Sequence, residues 1–215
     1  MSERYNVAAS AVLGENYKIT NIECSDYNPS IDGNITVTIT VNDVYGDAVS
    51  GESVTVTASE GTFTQLNGSD ITAAASVTGT TNSSGQFTLT YACSEWGLIT
   101  FSANTTSKQV NVTGWKQVQT YLTGKLTVYT DGKNGFLKIT GSFNPTSTNH
   151  KLETISEYKP LYNKIVMASD GYAGQGQHQD IIRFNTSGEL YIVSNGSGTH
   201  NVYTSIFYPL ANPLY

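Results

Sequence analysis

The stretch Asn34-Ile35-Thr36-Val37-Thr38-Ile39-Thr40-Val41 decides the fold class of this chain. Its apolar residues occupy every second position, with Asn or Thr between them. Successive side chains of a β-strand point to opposite faces, so this alternation predicts a half-buried strand. One face contributes to a core and the other meets water.

The same alternation returns at short intervals along the first half of the chain. Further predicted strands are Lys18–Ile22, Val54–Ala58, Gln86–Tyr91 and Leu98–Ala103. Turn-forming Gly, Asn, Asp and Ser residues separate them, which is typical of a β-sandwich. Residues 1–15 show no period, and we expect them to form an N-terminal arm.

Three segments of this half resemble bacterial Ig-like domains of the invasin and intimin type. Residues 41–54, Val-Asn-Asp-Val-Tyr-Gly-Asp-Ala-Val-Ser-Gly-Glu-Ser-Val, are similar to the family's D-x-x-G-x-x-V-x-G-x-x-V strand ending. Residues 81–87 and 96–103 are similar to its later glycine turn and its closing strand. The resemblance implies an immunoglobulin-like sandwich, a fold that serves as a spacer in adhesins and phage virion proteins alike.

The turn residues have a physical reason of their own. Gly46, Gly51 and Gly85 stand where turns favour positive φ or close backbone approach. Asp43 and Asn82 are expected to accept hydrogen bonds from the amides of their own turns. A calcium site at Asp43 and Asp47 is the alternative, although few oxygen ligands cluster there.

The composition changes near Gly114. The charge is −8 up to Gly114 and +2 from Trp115 onward, and nine of the 14 tyrosines lie in the second part. We therefore predict an all-β protein with two β-sandwich domains in tandem, an Ig-like domain at 16–114 and a C-terminal head domain at 115–215.

Strand patterns continue through the second domain. The predicted strands are Tyr121–Thr130, Gly135–Phe143, Lys164–Ala168, Asp180–Asn185, Glu189–Ser194 and Val202–Tyr208. The Lys159-Pro160-Leu161-Tyr162 segment, the hairpin sequence at 181–192 and the closing aromatic strand are similar to the β-sandwich heads of siphophage baseplate and tail-fibre proteins. That resemblance implies receptor binding and host attachment by a homo-oligomer, with a trimer favoured.

The whole-chain charge and hydropathy exclude several classes of protein. A net charge of −6 argues against nucleic-acid binding, which requires clustered Lys and Arg. No apolar run approaches the length of a membrane-spanning helix, so no membrane insertion is expected. Residues 1–6 lack the features of a secretory signal, which favours synthesis in a host cytoplasm and a place on a virion surface. A secreted chain with its signal removed stays open as an alternative.

Both cysteines, Cys24 and Cys93, lie in strand-like segments. Cys93 shares the parity of Phe87, Leu89 and Tyr91 and is expected to face the core. Two buried thiols are the preferred interpretation, and a disulfide is the alternative. Zinc binding is not expected, because four suitably spaced ligands are missing.

The sequence contains no nucleophile-elbow motif and no H-E-x-x-H motif. His150, His178 and His200 fall in polar contexts predicted to be surface loops, and none stands in a nucleophile motif. A glycosidase needs two carboxylates at a defined separation. The sequence does not fix the distance between any two carboxylates of the second domain. The candidates there are Glu153, Glu157, Asp170, Asp180 and Glu189. We expect a non-enzymatic protein without metal or cofactor.

One polar, glycine-rich segment, 169–180, is long for a hairpin connection, and such loops are often functional. Aromatic and amide side chains can stack on sugars and hydrogen-bond to them. We predict that Tyr172, Gln175, Gln177 and His178 contribute to a site for host cell-surface glycan. A loop without a ligand is the alternative.

Together these features predict a structural protein of a phage or virus tail, baseplate or fibre, with other virion proteins and a host glycan as its partners. A capsid decoration or head-fibre protein and a cellular adhesin fragment are the alternatives. The proline-containing end, residues 208–215, is expected either to dock on a neighbouring subunit or to fray.

Overall fold

The computed structural model describes residues 18–170, 179–194 and 199–215. The predicted arm, 1–15, lies outside these residues. The chain divides into two compact units, which meet in sequence between Thr113 and Gly114. The predicted all-β fold class is confirmed, since the described regular structure is β-strand apart from a single 3-10 turn.

The described residues of the first unit, 18–113, form nine strands. They are β1 (Lys18–Cys24), β2 (Asn34–Asp43), β3 (Ser53–Ala58), β4 (Thr62–Leu66), β5 (Ser69–Ala74), β6 (Ser76–Thr80), β7 (Gln86–Ala92), β8 (Gly97–Ala103) and β9 (Thr106–Val112). One antiparallel sheet has the order β1-β2-β7-β4-β5, and the other has the order β6-β3-β8-β9. Alternation in β2 is as predicted, with Ile35, Val37, Ile39 and Val41 all buried.

Three aromatic rings join the two sheets of the first unit. Phe63 and Tyr91 lie on the first sheet and Phe101 on the second, with Tyr91 and Phe101 ring centroids 4.9 Å apart. Phe63 lies 5.7 Å from Phe101 and 5.8 Å from Tyr91. The Tyr91 hydroxyl donates to the Glu60 carbonyl at 2.8 Å, so its polar end is satisfied. The rings close a sandwich core between the layers.

The turns of the first unit follow the predicted chemistry. Gly46, Gly51 and Gly85 all have positive φ. The Asp43 carboxylate accepts hydrogen bonds from the amides of Tyr45 and Asp47, both at 2.9 Å. Both bonds go to Oδ1 and are those of the turn predicted from the sequence.

Both cysteines are buried free thiols, as preferred over a disulfide. Burial raises the pKa of Cys24 to about 11, against the opposing effect of the Lys108 charge. Burial also raises the pKa of Cys93. Because the thiolate is the reactive form, both side chains are protected in the folded unit.

In the second unit, the part of the chain that the structure describes forms eight strands and the 3-10 turn. They are β10 (Lys116–Tyr121), the turn Leu122–Gly124, β11 (Leu126–Thr130), β12 (Asn134–Phe143), β13 (Asn149–Thr154), β14 (Lys164–Asp170), β15 (Gln179–Phe184), β16 (Glu189–Val193) and β17 (His200–Pro209). Tyr121–Thr130 was predicted as one strand, and this is wrong. Leu122, Thr123 and Gly124 have positive φ, which reverses the chain between β10 and β11.

The strands form one sheet, β10-β11-β12-β17-β14-β15-β16-β13, that covers a single core. Among the described residues, two register pairs join its halves, Ser169 with Tyr203 and Asp170 with Val202. Phe184 of one half meets Tyr208 of the other edge-on at 5.2 Å. The two halves therefore pack face to face as the layers of a sandwich.

The chain end is hydrogen-bonded to its own unit, so the fraying alternative is wrong, and docking on a neighbouring subunit stays a prediction. The Leu210 amide donates to the Lys133 carbonyl at 2.9 Å, and the Leu214 amide donates to the Gly132 carbonyl at 2.7 Å. The Lys133 ammonium also lies 4.6 Å from the centroid of the Tyr215 ring. Pro209 is the last residue of β17, where it is paired with Asn134, and Pro213 lies beyond the strand. The prolines therefore stand at or past the end of the sheet ladder.

Candidate functional site

The loop site predicted from the sequence cannot be located in the structure. Tyr172, Gln175, Gln177 and His178 lie outside the described residues. The prediction stands as made. A different surface of the second unit carries the features of a binding site.

An aromatic cluster lies on the outer face of the β11, β12 and β17 strands. Register pairs Tyr129 with Phe136 and Phe136 with Phe207, which sets three rings side by side across the sheet. Trp115 packs on this row, 5.7 Å from Phe207 and 6.4 Å from Phe136 between ring centroids. We call these four residues the aromatic platform.

The platform is open to solvent although it is apolar. Phe207 is 59% exposed and Trp115 is 45% exposed. Its four side chains line a shallow groove of about 430 Å³. Exposed apolar groups that lie together, in contrast to scattered ones, mark sites of interaction.

Strand alternation explains why these rings face outward. On β12 the neighbours Leu137 and Ile139 are fully buried, so Phe136 must point to the other face. On β17 the buried Ile206 and Tyr208 flank Phe207 in the same way. The core is thus filled by one parity of each strand, and the aromatic residues of the other parity remain outside.

A polar row lies beside the platform, two residues along each strand. Thr127, Lys138 and Ser205 are paired neighbours on β11, β12 and β17. Thr140 and Tyr203 follow two residues further on, and a second open groove of about 590 Å³ runs over this part of the face. Since a strand rises about 3.3 Å per residue, adjacent rows are roughly 7 Å apart.

The electrostatics of this face differ from those of the whole chain. Strands β10, β11, β12 and β17 contain no Asp or Glu, but they contain Lys116 and Lys138. The turn between β11 and β12 holds Asp131, whose carboxylate accepts hydrogen bonds from the Lys133 and Asn134 amides at 2.9 and 2.6 Å. Partial burial opposes ionisation, yet these bonds and that of the Asn134 side chain hold the pKa of Asp131 below its usual value.

The sequence contains only a weak signal for this face. Phe136, Leu137 and Ile139 on β12 are all apolar, as are Ile206, Phe207 and Tyr208 on β17. A run that is apolar at both parities does not tell which residues fill the core. The usable signal is that such runs contain more apolar side chains than one core can bury.

A buried polar chain of Asp180, His200 and Ser194 is the second feature that the sequence did not predict. His200 Nδ1 lies 3.0 Å from Asp180 Oδ2, and His200 Nε2 lies 3.2 Å from Ser194 Oγ. All three residues are at most 3% exposed. The prediction that His200 occupies a surface loop is wrong, because β15, β16 and β17 bring these side chains together inside the unit.

The arrangement has the order of groups found in serine hydrolases, where histidine takes the proton of an attacking hydroxyl. Ser194, however, is 3% exposed, and an attacking oxygen must reach the substrate carbon. Its position fits a buried hydrogen-bond network that fixes the strand ends. Among the other carboxylates considered for a glycosidase, Glu189 forms a surface ion pair in which its Oε1 lies 2.9 Å from Lys151 Nζ.

Within 18–170, 179–194 and 199–215, no group of three His, Cys, Asp or Glu side chains is placed to hold a metal ion. Among the same residues, no helix has the length and apolar character needed to cross a bilayer.

No protein family matches the sequence, and no curated protein does. Solved structures similar to it include domains 5–6 of the S-layer protein SbsC, with 16% identity, coverage of 90% of this chain and 98% of that chain, and a TM-score of 0.30. Invasin, described as a bacterial integrin-binding protein, has 14% identity over 92% of this chain and 37% of its own, with a TM-score of 0.39. The adhesin InvE of Yersinia pseudotuberculosis has 13% identity over 89% of this chain and 58% of its own, with a TM-score of 0.38. The chain therefore spans less than two thirds of invasin and of InvE.

Proposed function

We propose that this chain is a non-enzymatic surface protein of a phage or virus tail, baseplate or fibre, in which the first unit is a spacer and the second unit binds a host cell-surface glycan. The observation that carries the proposal is the aromatic platform beside a row of hydroxyl and ammonium groups. Aromatic faces receive the apolar faces of sugar rings, and the neighbouring polar groups hydrogen-bond to sugar hydroxyls.

A single platform of this kind supports only modest affinity. The groove is shallow, and an aromatic contact contributes roughly 0.5–1.5 kcal/mol beyond the area it buries. Several copies held on one particle convert weak contacts into firm attachment through effective concentration. The proposal therefore includes a homo-oligomer, with a trimer favoured, anchored to other virion proteins.

Adsorption of the full chain to host cells and to a glycan array tests the platform. We expect Trp115→Ala combined with Phe207→Ala to weaken binding at least tenfold, because the pair forms one wall of the groove. The matched control is Met167→Ala, a side chain 62% exposed on the other half of the same sheet. Equal binding by the platform variant, the control and the original chain would contradict the proposal.

The loop prediction has its own test. Replacing Tyr172, Gln175, Gln177 and His178 together by Ala lowers glycan binding if the loop contributes to the site. If only the platform variant loses binding, the glycan is held by the sheet face alone.

The absence of catalysis is tested at the buried polar chain. Ester and glycan hydrolysis by the original protein and by Ser194→Ala is measured under the same conditions. We expect no turnover by either protein. Hydrolysis that disappears with Ser194 would show an enzyme.

Electron microscopy of whole particles with labelled protein distinguishes a protein of the tail from a capsid decoration protein.

A further inference from the structure

Lys138 is the central charged group of the face beside the platform. It stands in the polar row between Thr127 and Ser205, and its side chain is exposed. Two other exposed lysines have carboxylate partners, since Lys151 pairs with Glu189 and Lys18 with Glu52. Lys108 and Lys133 lie instead over tyrosine rings. Within the described part of the chain, Lys138 has no such ion pair.

The strands around Lys138 offer no counter-charge. β10, β11, β12 and β17 carry no carboxylate, although the chain as a whole has a net charge of −6. Asp131, at the turn end of the face, is already bonded to the amides of its own turn. A ligand on this face therefore meets positive charge beside an apolar wall.

From this placement we infer that the glycan is anionic, with a sugar ring on the aromatic platform and a carboxylate or phosphate group bound by Lys138. The inference rests on the proposed function and narrows it to acidic glycans. From the platform to Tyr203 the face extends over four residues of strand, or about 13 Å. The ligand that fits is an extended chain lying along the strands across these rows.

The charge pattern separates an acidic glycan from other occupants. A neutral glycan would cover Lys138 without supplying a counter-charge, and removing an unpaired ammonium from water is costly. A second copy packed by its own equivalent face would oppose Lys138 with another positive, carboxylate-free surface, and like charges across an interface are unfavourable. In an acidic glycan, the acid group pairs with Lys138 and a sugar ring packs on the aromatic platform.

The test uses the full chain and matched pairs of glycans that differ only in charge. Suitable pairs are an oligogalacturonate and its methyl ester, a sialylated oligosaccharide and its desialylated form, and a phosphorylated oligosaccharide and its dephosphorylated form. We expect at least one acidic member to bind more tightly than its neutral partner, with a preference that falls as salt is added. The pair that responds identifies carboxylate or phosphate as the acid group.

Lys138→Gln is the decisive variant, because it removes the charge and keeps a polar side chain. We expect roughly a three- to tenfold loss for the acidic probe and little change for its neutral partner. Lys151→Gln is the matched control, since it removes the same charge from the opposite half of the unit. It should leave both affinities unchanged.

Three outcomes overturn the inference. Equal binding of acidic and neutral partners, unaffected by Lys138→Gln, would refute the anionic ligand and leave the platform as a neutral-glycan site. Binding of no glycan, with adsorption to cells unchanged in the Trp115→Ala and Phe207→Ala double variant, would refute the proposed function as well. A fall in oligomer size in that double variant, measured by sedimentation without any glycan, would assign the face to a second copy.

Discussion

The two units use their apolar residues differently. In the first unit the described large hydrophobic side chains that remain exposed are few and scattered: Ile19, Tyr27, Tyr45 and Leu98. In the second unit they are more numerous and include neighbours across the sheet: Trp115, Leu161, Tyr162, Ile165, Met167, Ile181, Tyr203, Phe207, Leu214 and Tyr215. Apolar groups that lie together on a surface, outside the core, are typical of interaction sites.

The outer surfaces of the first unit support the same distinction. Thr55 and Thr78 face each other across β3 and β6 with their hydroxyl oxygens 2.7 Å apart. Gln86 Nε2 donates to Thr40 Oγ1 at 3.1 Å across β2 and β7. Exposed Thr and Gln pairs stabilise strand pairing without creating an adhesive face. The comparison predicts that the first unit acts as a spacer and that the second unit binds the ligand.

The largest expected effect is at the aromatic core of the first unit. Phe101→Ala removes a fully buried ring that joins the two sheets, and we expect a loss of about 3–5 kcal/mol in the free energy of unfolding. Both cysteines belong to this unit, so thiol labelling during denaturation measures its unfolding. The second unit has its own core and should unfold as before. A shift of equal size in both units would break the comparison.

The next effect is at the buried polar chain of the second unit. His200→Ala leaves Asp180 and Ser194 without their shared partner, and we expect a loss of about 3 kcal/mol. Chemical denaturation followed by Trp115 fluorescence, in a Trp96→Phe background, measures this unit. His150→Ala, at a half-buried histidine of β13, serves as the control and should cost far less. If both variants lose the same stability, the network has no special role.

A smaller effect tests a close contact between a glycine and an aromatic ring that occurs in both units. A Cβ on Gly135 would lie 2.3 Å from the Tyr208 ring, and a Cβ on Gly79 would lie 2.4 Å from the Phe87 ring. We expect Gly135→Ala and Gly79→Ala each to cost about 1–3 kcal/mol in the unfolding of its own unit. In a double-mutant cycle, Tyr208→Leu should relieve much of the Gly135→Ala penalty. Additive effects at this pair would show that the ring contact is not the cause.

The smallest expected effect is a pH dependence confined to the second unit. Hydrogen bonds from Asn185 and Lys151 lower the pKa of Glu189 to about 2 from a usual 4.5. A lowered folded-state pKa stabilises the unit above about pH 4.5, and this contribution is lost as the pH falls toward about 2. The Tm difference between the original chain and Glu189→Gln should therefore shrink over that range. A difference that stays constant with pH would contradict this assignment.

Sequence patterns predicted strands most accurately where one face of the strand is polar. Alternation in β2 and β7 identified the buried positions correctly, including Phe87 and Leu89. Strands β4, β5, β6, β9, β10 and β13 were not predicted, because their residues are mostly small, polar or only partly buried. The hairpin at Leu122–Gly124 was hidden because two of its three positive-φ residues are not glycine.

The candidate site shows the same limit more strongly. Glycine and Asx turns such as Asn82 and Asn185 were predictable, since a side-chain oxygen that caps its own turn needs only neighbours in sequence. The aromatic platform joins residues 115, 129, 136 and 207, which only strand register brings together. The buried chain of Asp180, Ser194 and His200 likewise depends on how β15, β16 and β17 are arranged.

The sequence by itself determined that this protein is built from β-strands with glycine-rich turns, because period-two burial and turn chemistry are local properties. Only the tertiary structure decided which aromatic residues fill the core and which face outward. The reason is that one core accepts a limited volume of side chains. The strand parity that fills it leaves the other parity, with Trp115 and Phe207, on the surface.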